Sequence, residues 1–247
     1  MSEAADWKSD ATGVVLRESE VHVWRVPLEC SEAESLRLRG TLSMEETVRA
    51  DRFYFQRDRD AFIVTRGTLR QLLSTYLGCA PAAIAFDYGA YGKPSLRRPS
   101  PGAPLDFNVS HSHGLALMAF SLGRELGVDV ESIRPAVASE EIADRFFSPH
   151  EVAELQSLPP AMRAEGFFLC WTRKEAYVKA VGDGLQIPLK NFRVSLTPSE
   201  PECLESVDSE RWTLRSLRPA PGFVGALVAE GKDWNLRCWD WIQESKG

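Results

Sequence analysis

The chain has 247 residues, 35 Asp plus Glu against 29 Lys plus Arg, and a formal net charge of -6. Hydrophobic residues make up 44% and charged residues 26%, the composition of an ordinary globular protein rather than of a disordered one. The acidic balance excludes a general nucleic-acid binder, which needs clustered Lys and Arg to neutralise phosphate, yet leaves room for a local basic pocket that takes a small anion.

A chain of this length buries roughly 70–75% of its unfolded surface and needs neither disulfides nor a structural metal to fold. Its five cysteines (Cys30, Cys79, Cys170, Cys203 and Cys238) are scattered and form no C-x-x-C pair. That spacing suits neither a zinc site nor a secreted disulfide framework. No run approaches the ~18 apolar residues of a membrane span, and Met1 to Asp10 is polar rather than signal-like. A cytoplasmic protein without membrane attachment is the expectation.

In chain order, Val21 to Val26 mostly alternates apolar and polar residues and predicts a half-buried strand. Ser31 to Arg39 reads as a helix that Gly40 interrupts, and Ser43 with Glu46 has the spacing of a capping box. Asp58 to Leu77 carries Phe62, Arg66, Leu69, Leu73 and Tyr76 at three- and four-residue steps, with Gly78 as a helix stop. Ala83 to Phe86 predicts a short strand, and Arg97 to Pro104 a proline-rich loop. Leu105 to Ser110, Leu115 to Leu122 and Leu126 to Glu131 predict strands. Helical patterns return at Glu140 to Phe147 and Phe167 to Val181. Four further strands are expected over Phe192–Leu196, Trp212–Leu217, Phe223–Ala229 and Leu236–Ile242. Strands and helices without strict alternation indicate an α+β fold.

Ala50-Asp51-Arg52-Phe53 recurs as Ala143-Asp144-Arg145-Phe146, each ahead of a helix that ends near a glycine, Gly78 or Gly182. The echo predicts two similar α+β halves, residues 1–123 and 124–247, with a shared site in the cleft between them.

Several residues stand out chemically. In Gly127-Val-Asp-Val-Glu131, strand alternation puts Asp129 and Glu131 on one face, where two acids repel unless water or a cation intervenes. Few oxygen ligands from protein suit Mg²⁺; a solvent-facing strand that carries two acids is the alternative. On the predicted helix, Trp171, Glu175 and Lys179 share a face and Lys174 lies one step round. The aromatic surroundings make that helix too apolar for a freely solvated Glu–Lys pair. Arg66 sits on an apolar stripe, where it either snorkels or meets an anion. Gly89-Ala-Tyr-Gly-Lys-Pro94 is a hairpin turn or a phosphate cradle, and it lacks Walker A spacing. Asn108-Val-Ser-His-Ser-His113 places polar groups at a strand end, without a third ligand for zinc. Ser148-Pro-His-Glu151 reads as a helix start with Glu151 as its capping acid. No nucleophile elbow or activated-cysteine motif is present.

Taken together, Asn108-Val-Ser-His111, Gly127-Val-Asp-Val-Glu131 and Trp171-Thr-Arg-Lys-Glu-Ala-Tyr-Val-Lys179 resemble the 4′-phosphopantetheinyl transferases, in particular the larger single-chain duplicated kind. Weaker matches are Arg52-Phe53, Arg66-Gly67, Gly92-Lys-Pro94, Arg145 to Ser148 with Glu151, and Gly182-Asp-Gly-Leu185. The resemblance implies transfer of the phosphopantetheine arm of coenzyme A to a serine of an apo acyl or peptidyl carrier protein, with release of adenosine 3′,5′-bisphosphate. It implies Mg²⁺, or Mn²⁺ in its place, on Asp129, Glu131 and Glu175. Arg66, Lys93, Ser110 and His111 would hold the 3′-phosphate end. Gly89, Ala90, Tyr91 and Gly92 would line the nucleotide, with Asn108 beside it, and Lys179 would contact the phosphates. Glu175 is the implied base, with Lys174 or Lys179 steadying the new charge, in a protein expected to act as a monomer. A non-catalytic homologue that binds coenzyme A or a carrier is the alternative.

Overall fold

The computed structural model describes residues 6–10, 13–89, 92–97, 104–182, 187–198 and 200–242. The first part of the chain forms β1 (Trp7–Lys8), β2 (Glu20–Pro27), α1 (Glu32–Arg39), α2 (Met44–Asp51) and α3 (Gln56–Leu77). A small hairpin of β3 (Phe86–Tyr88) and β4 (Pro94–Leu96) leads to the long strands β5 (Leu105–Ser112) and β6 (Leu115–Leu122). The second part runs β7 (Leu126–Ser132), α4 (Glu140–Phe146), α5 (Pro149–Ser157), α6 (Pro160–Val181), β8 (Arg193–Val194), β9 (Leu204–Glu205), β10 (Trp212–Leu217), β11 (Phe223–Glu230) and β12 (Asn235–Asp240).

The duplication expected from a four-residue echo is visible in the strand pairing. In the first part, β6 lies between β2 and β5, antiparallel to both. In the second, β11 lies between β7 and β10, again antiparallel to both. Each unit is therefore a strand, short helices, a 22-residue helix and a two-strand return. The first sheet is extended beyond β2 by β12 and then β1, both in parallel register, so the last strand of the chain returns to the first sheet.

Both long helices stop where a residue adopts the left-handed conformation that glycine tolerates best: Gly78 at φ 63° and Gly182 at φ 83°. Their cap N–H groups donate to Ser74 O and Val178 O, satisfying carbonyls that the helix end leaves open. The capping boxes at Ser43/Glu46 and Ser148/Glu151 both form. Helix α6 begins seven residues before the periodic pattern suggested, because Pro160 provides the start and its first turns carry polar Arg163 and Glu165. The strand expected at Ala83–Phe86 is a single 3-10 turn at Pro81–Ala83, followed by β3. The carbonyls of Pro81 and Ile84 accept from the buried guanidinium of Arg70 and are not free for a ladder.

Three apolar layers make the core, one within each unit and one between them. Ile63, Leu69 and Leu73 of α3 pack on Phe107 and Phe120 of the first sheet. Phe167, Cys170 and Val178 of α6 pack on Val224, Ala226 and Val228 of the second. Between the sheets, Val23, Leu117 and Ala119 meet Val128, Val130 and Leu227. A fully buried Val, Leu, Ile or Phe side chain among these contributes about 1.5–3 kcal/mol.

Candidate active site

The site begins at the seam between β5 and β7. Strand alternation sends Asn108, Ser110 and Ser112 of β5 toward β7, where each finds a partner. Asn108 Oδ1 accepts from Val128 N at 2.9 Å. Ser110 Oγ donates to Asp129 Oδ1 at 2.7 Å, and Ser112 Oγ donates to Glu131 Oε2 at 2.6 Å. These three hooks fix the register of the two strands and hold both acids of β7 in defined orientations.

Helix α6 lies directly on β7, and the glycine at the head of Gly127-Val-Asp-Val-Glu131 makes that possible. A Cβ at Gly127 would overlap the backbone of α6 at Ala176, Lys179 and Ala180. Between Trp171 and Lys179 the helix is buried except at Trp171, Glu175 and Lys179, one stripe at four-residue spacing. The stripe turns toward the acids of β7: Lys179 Nζ reaches Asp129 Oδ1 at 2.6 Å, Ser110 Oγ at 3.1 Å and the Val128 carbonyl at 3.3 Å.

Electrostatically the seam is an acid cluster with one ammonium. Burial holds the Glu175 carboxyl above its ordinary range, the charges of Asp129 and Glu131 raise it further, and Lys179 opposes them. Asp129 is 5% exposed, and its second oxygen, Oδ2, is buried without a hydrogen-bond partner among the described residues. A buried, unsatisfied carboxylate oxygen beside two further acids fits a hard divalent cation that takes few protein oxygens. Among the described residues, no three acid, imidazole or thiol groups converge tightly enough to enclose a metal by themselves. The hydrogen bonds to Ser110, Ser112 and Lys179, with Arg134 at 3.5 Å from Glu131, hold the carboxylates apart.

A cavity of about 530 Å³ opens on the other face of β5, between that strand and α3. Arg49, Arg57, Arg66, His111 and His113 outnumber the acids Glu29 and Asp58 in its polar lining, and Phe53, Phe62 and Pro94 give it an apolar one. Arg66 is held over the Phe86 ring at 4.9 Å and lies 3.5 Å from Glu46, with Nη1 buried and unpartnered among the described residues. Such a pocket suits a flat, anionic ligand: rings for stacking, guanidinium groups for phosphate.

The structure places the residues singled out from sequence in three groups. Asp129, Glu131, Glu175 and Lys179 come together at the seam, and Arg66 and His111 share the cavity. The others are elsewhere. Ser110 and His111 are neighbours on a strand and point to opposite faces, so Ser110 serves Asp129 rather than the cavity. Asn108 is 5% exposed and spent on Val128. Lys174 is completely buried, and its three N–H donors go to Glu151 Oε2 at 2.8 Å and to the carbonyls of Leu189 and Phe192 at 2.7 Å each. A place at a phosphate is not open to it. Glu151 is equally buried: it caps α5 through Ser148 N and also accepts from Val194 N. Lys93 donates to backbone carbonyls and not into the cavity. Gly89 and Gly92 form the β3–β4 turn, while Ala90 and Tyr91, with residues 183–185 of the Gly182 motif, lie outside the described residues. Sequence reasoning passed over Ser112, although the alternation that selects Asn108 and Ser110 reaches it. It also passed over Arg49 and Arg57, which enter the cavity only through the packing of α2 and α3.

Two family profiles cover most of the chain. Residues 125–228 match the family described as "4′-phosphopantetheinyl transferase superfamily". Residues 28–122 match "4′-phosphopantetheinyl transferase, N-terminal". The chain is 41% identical to the 4′-phosphopantetheinyl transferase HetI of Nostoc sp., over 94% of this chain and 97% of that one. It is 33% identical to a 4′-phosphopantetheinyl transferase of Bacillus subtilis over 69% of this chain and 72% of that one. To the transferase Sfp of Bacillus subtilis strain 168 it is 30% identical, over 83% of this chain and 89% of that one. The chain belongs to the 4′-phosphopantetheinyl transferase superfamily. No described helix is long and apolar enough to cross a membrane.

Proposed function

We propose that this enzyme transfers the 4′-phosphopantetheine arm of coenzyme A to a serine of an apo acyl or peptidyl carrier protein and releases adenosine 3′,5′-bisphosphate. The observation that carries the reading is that Lys179 pairs with Asp129 where the charges of Asp129 and Glu131 are felt at Glu175, one strand away from a basic, ring-lined cavity. In this reading residues up to 123 supply the nucleotide end of the site, with Arg66 and His111 toward the 3′-phosphate. Residues from 124 onward supply the carboxylates. Asp129, Glu131 and Glu175 would hold Mg²⁺, or Mn²⁺ in its place. When bound, that ion supplies positive charge against the pyrophosphate, where the displacement accumulates negative charge.

The residues of this chain then divide the work. A bond forms between the serine oxygen and the β-phosphorus while the pyrophosphate P–O bond breaks, and the electron pair leaves on adenosine 3′,5′-bisphosphate. The serine proton goes to Glu175, directly or through one water. Lys179 would turn from Asp129 toward the phosphates and stabilise the departing charge. The test is a mass measurement: protein, coenzyme A and Mg²⁺ are incubated with a panel of apo-carriers, and the carrier serine gains the phosphopantetheine mass. Coenzyme A binding with no gain on any carrier would favour a non-catalytic homologue. Asp129→Ala should remove the gain while the protein stays folded.

A further inference from the structure

We infer that Lys93 is a positioning residue that straps the β3–β4 hairpin to α6 and β7, setting the spacing between the basic cavity and the carboxylates. The inference rests on the transferase reading and deepens it. Its ammonium donates to Lys179 O at 2.5 Å, Leu126 O at 3.3 Å and Ala180 O at 3.5 Å. Leu126 opens the strand that carries Asp129 and Glu131, and Lys179 and Ala180 lie in the last turn of the helix that carries Glu175. Those terminal carbonyls are the negative end of α6, where a cation is favoured. Burial pulls the Lys93 pKa down and Glu125 and Asp106 oppose it, so the strap is a partly desolvated ammonium held by these oxygens.

The other end of the strap is the cavity wall. Lys93 precedes Pro94, which lines the cavity, and the same hairpin carries Phe86, the ring beneath Arg66 and Arg70 at 4.9 and 5.2 Å. A ligand that reaches from the cavity to the acids, as coenzyme A would, feels the distance between the two ends. A ligand confined to the cavity does not. Among the described residues the two hairpin strands pair with each other and with neither large sheet, so backbone pairing with those sheets does not fix their position.

Direct phosphate contact by Lys93 and positioning by Lys93 give different results for Lys93→Met, measured by calorimetry with three probes. Positioning predicts that coenzyme A binds about tenfold more weakly while adenosine 3′,5′-bisphosphate stays within about twofold of wild type. The preference for coenzyme A over 3′-dephospho-coenzyme A is retained. Equal loss for coenzyme A and the bisphosphate, together with loss of that preference, overturns the inference in favour of direct contact; unchanged binding of all three also overturns it. Should the variant fail to fold, acetylation footprinting of the wild-type lysines decides. Lys93 is expected to resist acetic anhydride with and without the bisphosphate, and a Lys93 that reacts in the free protein overturns the strap. Failure of wild type to load any carrier would sink the transferase reading separately.

Discussion

Replacing Gly127 by alanine adds one methyl group at the closest approach of β7 and α6. That Cβ would sit 2.8 Å from the Lys179 carbonyl carbon and closer still to Ala176 O and Ala180 N, all backbone atoms with no rotamer to give way. Restoring ordinary contact of ~3.5 Å requires the helix to move by about 1 Å. Overpacking of this kind costs about 1–3 kcal/mol, and for a chain of this size each kcal/mol lowers Tm by about 2–4 °C. The displaced helix carries Glu175 and Lys179 away from Asp129, and a misplacement of about 1 Å at a reacting centre lowers the rate on the order of 100-fold. Gly127→Ala should therefore melt several degrees lower and load carrier with a much smaller kcat, while adenosine 3′,5′-bisphosphate, proposed to bind on the far side of β5, should keep its affinity. Thermal denaturation and a carrier-loading time course measure both. Near-wild-type loading with an unchanged Tm would show that close approach of β7 and α6 does not set the site.

Three other perturbations probe neighbouring features. Ser112→Ala removes the hydroxyl that orients Glu131, and Mn²⁺ binding followed by electron paramagnetic resonance should weaken about 10-fold or more, with Ser112→Thr recovering most of it. Lys174→Met leaves the Glu151 carboxylate buried without its partner, which costs about 3–5 kcal/mol in chemical denaturation, whereas Glu151→Gln combined with Lys174→Met should cost less. His22, wedged between Glu20 and the Tyr76 hydroxyl, has its pKa pulled down to about 4 from the usual 6.5 by burial, against the favourable Glu20. Its stabilising contribution is complete above the unfolded value of 6.5 and is lost as pH falls through 4, about 3 kcal/mol in all. His22→Gln should flatten that part of the pH–stability curve, and an unchanged slope would contradict the burial argument.

Local patterns that carry their own physics were legible in advance. Capping boxes, glycine stops and four-residue stripes depend on neighbours within a turn or two, so Ser43, Gly78 and the Trp171–Glu175–Lys179 stripe could be read directly. Where an element's fate depended on a distant group, the reading failed. The strand expected at Ala83–Phe86 begins only at Phe86, because a 3-10 turn runs through Ala83 and Arg70, fourteen residues before Ile84, takes the Ile84 carbonyl. Lys174 is adjacent to Glu175 yet one helical step puts it on the buried side, where the loop carbonyls of Leu189 and Phe192 await it.

The same division holds for the site. Residue type and spacing determined that an acid pair on a strand and an acid on a helix were available, because the periods of two and 3.6 residues are properties of the backbone alone. Only the tertiary structure decided which groups would face one another: Gly127 lets α6 settle on β7, three polar side chains of β5 orient the acids, and one strand's two faces separate the carboxylates from the cavity. Those pairings join residues tens of positions apart, and their cause is the packing of two sheets rather than any pattern along the chain.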